Sequence, residues 1–548
     1  MSKRILSKVI TAVLTVSLTA TLLSGCASKS KDAGKSSSKK DVQSIVYNMG
    51  AEPDSIDPGL GTAIGASSVD NAMFEGLMKF DKDLNPVPAA AEKVDYDKNN
   101  PVKFTFHIRK DAKWSDGKDL KAQDFVYAWL RVLNPKTAAG YATQLYYLKN
   151  GEAYNLGKAK ASDVGVKAVD DKTLEVELQN PTPYFLQLTA LATLMPVRQD
   201  IVEKDPEKWT QNPDTFIGNG PFKMTKWTHD SEIDFVKNDN YWDKKEVKLD
   251  KLKFLMMTDS SSALSAYETG DIDYLDTIPA TDVKNYLADG KAKAIPSVQD
   301  TYIAINSKKK LFQNVKLRKA LSLAIDRQGI ADAVFQDGRK PATGFIPFGI
   351  KDSDSSKEFR TVGGDYYSGK ADIAQAKKLL AEAGYPNGKG LPTIEYSYNS
   401  DPVNKQVAQA LQDMWKKIGV NVKLNEVEWK VLLTNLKQGK FDISRDNWIG
   451  DYMDPMTFMQ LVVSNDGNND GKYKNSKYDK LIAAAKLEKD PAKRMQYIHQ
   501  AEDILMGDVG VIPVVFGVST VAAKPYCKGV VKTPLGGMSF DRAYVQGK

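Results

Sequence analysis

The chain has 548 residues, 42% of them hydrophobic and 26% charged, which is the composition of a soluble globular protein of roughly three to four domain equivalents and excludes disorder over most of its length. The formal charge of +7 resides entirely in residues 1–40, which hold eight Lys/Arg and one Asp, so the rest of the chain is neutral. A neutral body lacks the clustered cations that phosphate backbones require, and no nucleic-acid partner is expected.

Lys3, Arg4 and Lys8 precede an apolar stretch from Val9 to Leu23. That length suits a signal peptide over residues 1–25 and is too short for a stable membrane span. It ends in Leu23-Ser24-Gly25-Cys26, which resembles the bacterial lipobox, in which the cysteine carries a diacylglycerol thioether and becomes the first residue after cleavage. Cys26 is therefore the expected lipid anchor. Residues 26–40 (CASKSKDAGKSSSKK) have no apolar periodicity and read as a solvated tether, about 45–50 Å at full extension. Cys527, the other cysteine, is left without an intramolecular partner, so stability must come from the core.

The body alternates strand-like and helix-like segments. SIVYNM (44–49), KFTFHI (103–108), TLEVEL (173–178), EIDFVK (232–237), TYIAIN (301–306), TIEYSY (393–398) and VNVKL (420–424) carry period-two or β-branched patterns. Val403, Val407, Leu411, Met414 and Ile418 form one helical stripe suited to core packing. A second helix runs from Asp372 through Ala383 and stops at Gly384, with Pro386 just beyond. Turn clusters punctuate the body, but no flexible linker divides it. Interleaved domains of α/β or mixed α+β type follow, with the chain crossing between them more than once.

Enzymatic chemistry finds little support. The three histidines, His107, His229 and His499, have no metal spacing, and G-x-S-x-G, H-E-x-x-H and Walker A patterns are absent. Gly59, Gly61 and Gly65 miss the dinucleotide spacing by one residue and follow no strand that leads into a helix. Asp466, Asn468, Asp470 and Gly471 fit the first positions of a calcium loop, yet Lys477 stands where the bidentate Glu belongs. A polar surface turn is expected there, with no metal and no cofactor.

Several motifs converge on one family. KFTFHIRKDAKWSDG (103–117), AQDFVYAW (122–129), GNGPF (218–222), NVKLRKAL (314–321), Ile325-Asp326-Arg327 and WIGDYMDP (448–455) resemble the signature regions of the peptide-binding proteins of ABC importers, the oligopeptide-binding lipoproteins above all. The resemblance spans residues 42–548 in order. It implies a two-lobed periplasmic-binding-protein-like fold that closes on its ligand about a hinge. Lobe one is placed at 41–74, 199–300 and 516–548, an accessory domain at 75–198 and lobe two at 301–515. The implied protein is a monomeric, non-enzymatic lipoprotein on the outer face of a bacterial cell membrane, delivering oligopeptides to ABC permease subunits. Relatives that bind dipeptides, nickel chelates, haem or oligosaccharides keep other solutes open, and an anchored hydrolase or an adhesion role are the rivals from other classes.

The resemblance also implies a site. Asp454 before Pro455 reads as a helix N-cap, which leaves Asp451 without a structural task. Asp451 matches the aspartate that pairs with the ligand's α-ammonium, and Arg445 an arginine that meets the carboxylate end of shorter peptides. Trp448, Trp429 and Tyr141 match aromatic pocket walls, while Asn447, Ile449, Thr62 and Ile64 match positions whose backbones pair with the peptide. The chain departs from the family at Phe335 and Asn404, where a lysine and a histidine would serve the carboxylate end, and at Thr62, where an acid would stand.

Overall fold

Alternation in the 44–49 segment becomes a strand, Ser44–Asn48, that buries Ile45 and Tyr47 on one face. This computed structural model describes residues 42–548 apart from positions 54, 62, 82 and 83, so the expected signal peptide, Cys26 and its tether lie outside the described residues. Residues 41–548 form one compact unit. Its spine is an eleven-stranded mixed sheet in the order Val422–Val427, Ile394–Asn399, Ile443–Ile449, Lys293–Ile305, Val511–Ala523, Tyr274–Leu275, Ser44–Asn48, Lys251–Leu255, Glu232–Lys237 and Phe222–Thr228, with Lys340–Pro341 paired to Val511–Ala523 off this path. All seven strands expected from the sequence are present, six with ends shifted by at most a few residues and the 301–306 segment as the end of a longer strand that begins at Lys293.

Two 13-residue strands, Lys293–Ile305 and Val511–Ala523, run antiparallel through the middle of the sheet. At one end they join the strands that follow Lys340, and at the other those that precede Tyr274, which is why no linker was needed. The run VIPVVFGVSTVAA is nearly continuous in apolar residues because it is buried on both faces over its first half. Pro513 is tolerated in this central strand because the register shifts between Thr301 and Tyr302, placing the proline at an irregularity.

A separate four-stranded sheet, Ala91–Tyr96, Lys103–Ile108, Thr173–Glu177 and Val166–Ala168, packs with the helix Ala122–Leu133. Trp129 of that helix is fully buried and donates its indole N–H to the Leu194 carbonyl at 2.8 Å. The helix Pro402–Lys416 is capped by Asp401, whose carboxylate accepts the Asn404 N–H, and buries Val407 and Leu411 as the stripe requires. Gly384 ends the helix Ile373–Glu382 with φ +98°, as its position predicts.

Most of the signature motifs are structural. Gly218 and Gly220 let that turn approach the backbone of Met73 and Phe74 so closely that a Cβ on either would collide. Asn314 caps the helix Val315–Leu323, and the buried Arg327 donates to the Pro513 carbonyl at 2.8 Å.

One expectation fails. The 466–471 segment is a polar turn, with Asn468 N–H donating to Asp466 and Asn469 bridging Val463 and Tyr473, but it is not a surface turn: Asn469 is 2% exposed. Its side chains fasten the turn inward, and two of them reach a cavity.

Candidate functional site

The strand Ile443–Ile449 pairs with Lys293–Ile305 along its whole length, but with Ile394–Asn399 only at Ile443 and Ser444. From Arg445 to Ile449 its second edge therefore has no strand partner among the described residues. An unpaired edge presents a row of N–H and C=O groups to any extended chain laid beside it. Beyond it opens a cavity of about 480 Å³.

The cavity wall gathers residues far apart in sequence. Ile64, Ser67 and Asp70 come from the helix Ile64–Met73, Tyr141 and Gln144 from a short helical turn, and Trp429, Leu433 and Lys437 from the helix Trp429–Gln438. Tyr302, the run 446–451, Asn468 and Asp470 complete one side, and Thr533, Leu535 and Gly537 close another. Of the residues expected at the site, Asp451, Trp448, Trp429, Tyr141, Asn447, Ile449 and Ile64 all line this space. Thr62 lies outside the described residues. Arg445 is not on the wall: its guanidinium stands 5.8 Å from the Trp429 ring, and its Nε is buried without a hydrogen-bond partner.

Asp451 is held by two neutral donors. Its Oδ2 accepts the Gln144 side-chain N–H at 2.9 Å, the Tyr141 hydroxyl also bonds it, and its own backbone N–H donates to Thr457 Oγ1 at 2.9 Å. With no cation in range, burial outweighs these bonds and pushes the carboxyl up to about 7. The same burial, and the Asp451 charge, raise Tyr141 above the ordinary phenol range.

The turn after Asp451 is clamped. Tyr452 stacks on Tyr184 with ring centroids 4.5 Å apart, and Met453 N–H donates to Gln187 Oε1 at 2.8 Å. Asp454 accepts the Met456 N–H at 2.9 Å, the capping task expected of it, and also receives both Nη groups of buried Arg494 at 2.8 Å. Such a bidentate pair fixes orientation as well as charge. Trp448 presents a buried indole N–H with no partner.

Phe335 and Asn404, the points of departure, do not line the cavity: Phe335 sits under the Arg339 guanidinium and Asn404 donates to Asn399. The histidines lie apart, on Asp95, Glu52 and Asp352 respectively, and none is on the wall. Sequence reading missed Gln144, Asp70, Tyr302, Asp446, Lys437 and Asp470. Gln144, three residues after Tyr141 on one helical turn, and Asp470, in the polar 466–471 pattern, left signals there.

Residues 85–470 match the model of the bacterial extracellular solute-binding proteins, family 5. The chain belongs to that family. It is 38% identical to the oligopeptide-binding protein OppA of Bacillus subtilis, over 94% of this chain and 95% of the relative. Among solved structures, Haemophilus influenzae OppA in complex with the peptide RPPGFSPFR has a TM-score of 0.82 at 33% identity, covering 92% of this chain and 99% of that one. The unliganded open form of the murein tripeptide binding protein MppA gives 0.71 at 32% identity, covering 92% and 98%. The chain thus fits the peptide complex better than the open form. Membership makes this family 5 protein a two-lobed solute binder and not an enzyme.

Proposed function

We propose that this protein captures oligopeptides outside the cytoplasm and hands them to an ABC permease for import. The observation that carries the reading is the free edge from Arg445 to Ile449, which runs directly into the uncompensated carboxyl of Asp451 at the cavity wall. An extended peptide laid on that edge has its main chain satisfied whatever its side chains, and its α-ammonium supplies the charge that Asp451 lacks.

In this reading the backbones of Asn447, Ile449, Thr62 and Ile64 pair with the peptide. Trp448, Trp429 and Tyr141 bound the side-chain space, and Arg445, buried with an unpaired Nε beside Trp429, serves the carboxylate of shorter peptides. The lobes at 41–74 with 199–300 and 516–548, and at 301–515, close about the two long strands, with 75–198 as an accessory domain. Cys26, lipidated, holds the protein as a monomer on the outer face of the cell membrane, and residues 27–40 give it reach to the permease subunits.

A dipeptide is the second reading, favoured by the dipeptide-binding protein DppE of Bacillus subtilis at 38% identity. Mass spectrometry of what acid releases from the purified protein, followed by calorimetry with peptides of two to nine residues, tests both. Mixed oligopeptides and tight binding of three or more residues are expected. A single non-peptide metabolite, or no binding at any length, overturns the proposal.

A further inference from the structure

The cavity is strongly acidic. Among the described residues its charged lining is Asp70, Asp446, Asp451 and Asp470 against one base, Lys437. Peptide capture accounts only for Asp451.

Asp446 and Asp470 belong to one cluster. Tyr302 is the cross-strand partner of Asp446, and Lys437 stands 3.1 Å from Asp470 and 3.3 Å from Asn468. The Asp446 Oδ1 accepts the Asn447 N–H at 2.8 Å, while its Oδ2 is buried beside the Tyr302 hydroxyl without a well-directed hydrogen bond. Burial, then the nearby Asp470, pushes Asp446 up to about 7, so Lys437 does not satisfy both acids.

Asp70 is a separate observation on the same cavity. It is 1% exposed, it lines the wall from the helix Ile64–Met73, and neither carboxyl oxygen has a hydrogen-bond partner. A fully buried acid with no donor and no cation is costly to keep, and nothing in its own surroundings supplies what it lacks.

We propose that the cavity selects peptides bearing a lysine or arginine side chain, received between Asp446 and Asp470, with the unpartnered Asp70 carboxyl as a second station for basic peptides. This rests on the peptide-capture reading and names its substrate class. The long side chain of Lys or Arg passes its methylenes along Leu433 and sets its cation where one base faces two acids. Acidic peptides meet the same carboxyls as repulsion, which gives discrimination without reading the main chain.

The test uses the full protein, freed of bound peptide, and a pentaalanine series with free termini in which each position in turn is lysine, norleucine or glutamate. Norleucine keeps the methylenes and removes the charge. Lysine is expected to exceed norleucine by at least about tenfold at one position or more, with glutamate weakest there, the range of a charge-assisted hydrogen bond. In Asp446→Asn that lysine-to-norleucine ratio falls toward one, and Asp70→Asn lowers it at a different position. Equal affinities for lysine and norleucine at every position in the native protein overturn the inference, and so does a lysine preference that Asp446→Asn, Asp470→Asn and Asp70→Asn all leave intact. Should a variant fail to fold, the native comparison decides. If no peptide of the series binds at all, the capture reading itself falls, an outcome distinct from binding without charge preference.

Discussion

Gln144 donates to Asp451 at 2.9 Å, joining residues 307 positions apart, and it does so with a neutral group where a cation would be the stronger partner. The amide orients the carboxyl toward the cavity and leaves its charge unmet. A site that must release its ligand gains from this, because the empty form is held in shape without a competing internal ammonium.

Removing that charge isolates the contact. Asp451→Asn is expected to weaken a free-amine peptide by about 2–5 kcal/mol, roughly 30- to several-thousand-fold, the cost of truncating one partner of a buried charge pair. N-acetylation of the peptide produces a comparable loss on the native protein. Calorimetry on the combined change checks that the two losses do not add, since both act on one interaction. Full additivity refutes the contact.

The acidity of Asp451 sets a pH profile. Its carboxyl ionises only near pH 7 in the empty protein, and a peptide ammonium pairs with the ionised form. Affinity for a peptide without basic side chains therefore falls as pH drops below 7, approaching tenfold per unit, and falls again above about 8 as the peptide amine loses its proton. The acetylated peptide shows neither slope. Dissociation constants measured from pH 5 to 9 provide the check, and a flat profile for both peptides excludes this role.

Asp70 makes the empty protein sensitive to alkali. Burial raises its folded-state pKa well above the unfolded value, so its contribution is fully present below about pH 4 and is lost as pH rises. Asp70→Asn, neutral at every pH, is expected to match the native protein near pH 4 and to gain on it by about 1.4 kcal/mol per pH unit between the two pKa values. Urea midpoints of the peptide-free proteins at pH 4, 6 and 8 measure the divergence, and parallel curves count against it.

Arg494 and Asp454 hold the turn that follows Asp451. Their side chains are 4% and 9% exposed and doubly bonded, so Arg494→Ala strands a buried carboxylate. A loss of about 3–5 kcal/mol is expected in denaturant unfolding, with peptide affinity reduced as the turn loosens. A change under about 1 kcal/mol means the pair adds little to the fold.

Cys26→Ser should abolish lipidation and move the protein from the detergent phase to the aqueous phase on partitioning. Retention in the detergent phase contradicts the anchor.

Elements and motifs were readable from the sequence because they are local. The alternation of 103–108, and the helix from Asp372 with its stop at Gly384, each depend on a few neighbours, and each appears where the pattern puts it. Asp451 emerged because the resemblance matched it to the aspartate that meets a ligand's α-ammonium, and the capping task of Asp454 agreed with that by leaving Asp451 free. The rest of the cavity is a property of topology: Asp70, Gln144, Tyr302, Asp446 and Asp470 meet only through sheet pairings and packing that no local window contains. The 466–471 turn misled for the same reason. Its polarity is that of a surface loop, and only the fold decides that its polar face looks inward.

The strand Val511–Ala523 lies at the centre of the sheet, between Lys293–Ile305 and Tyr274–Leu275, although it follows both of them far along the chain. Until it arrives, strands made hundreds of residues earlier keep an open, unmatched edge, and the main core cannot close around them. The long-range pairing that completes the sheet is intrinsically slow. Completion of the sheet is therefore governed by the order of its strands along the chain.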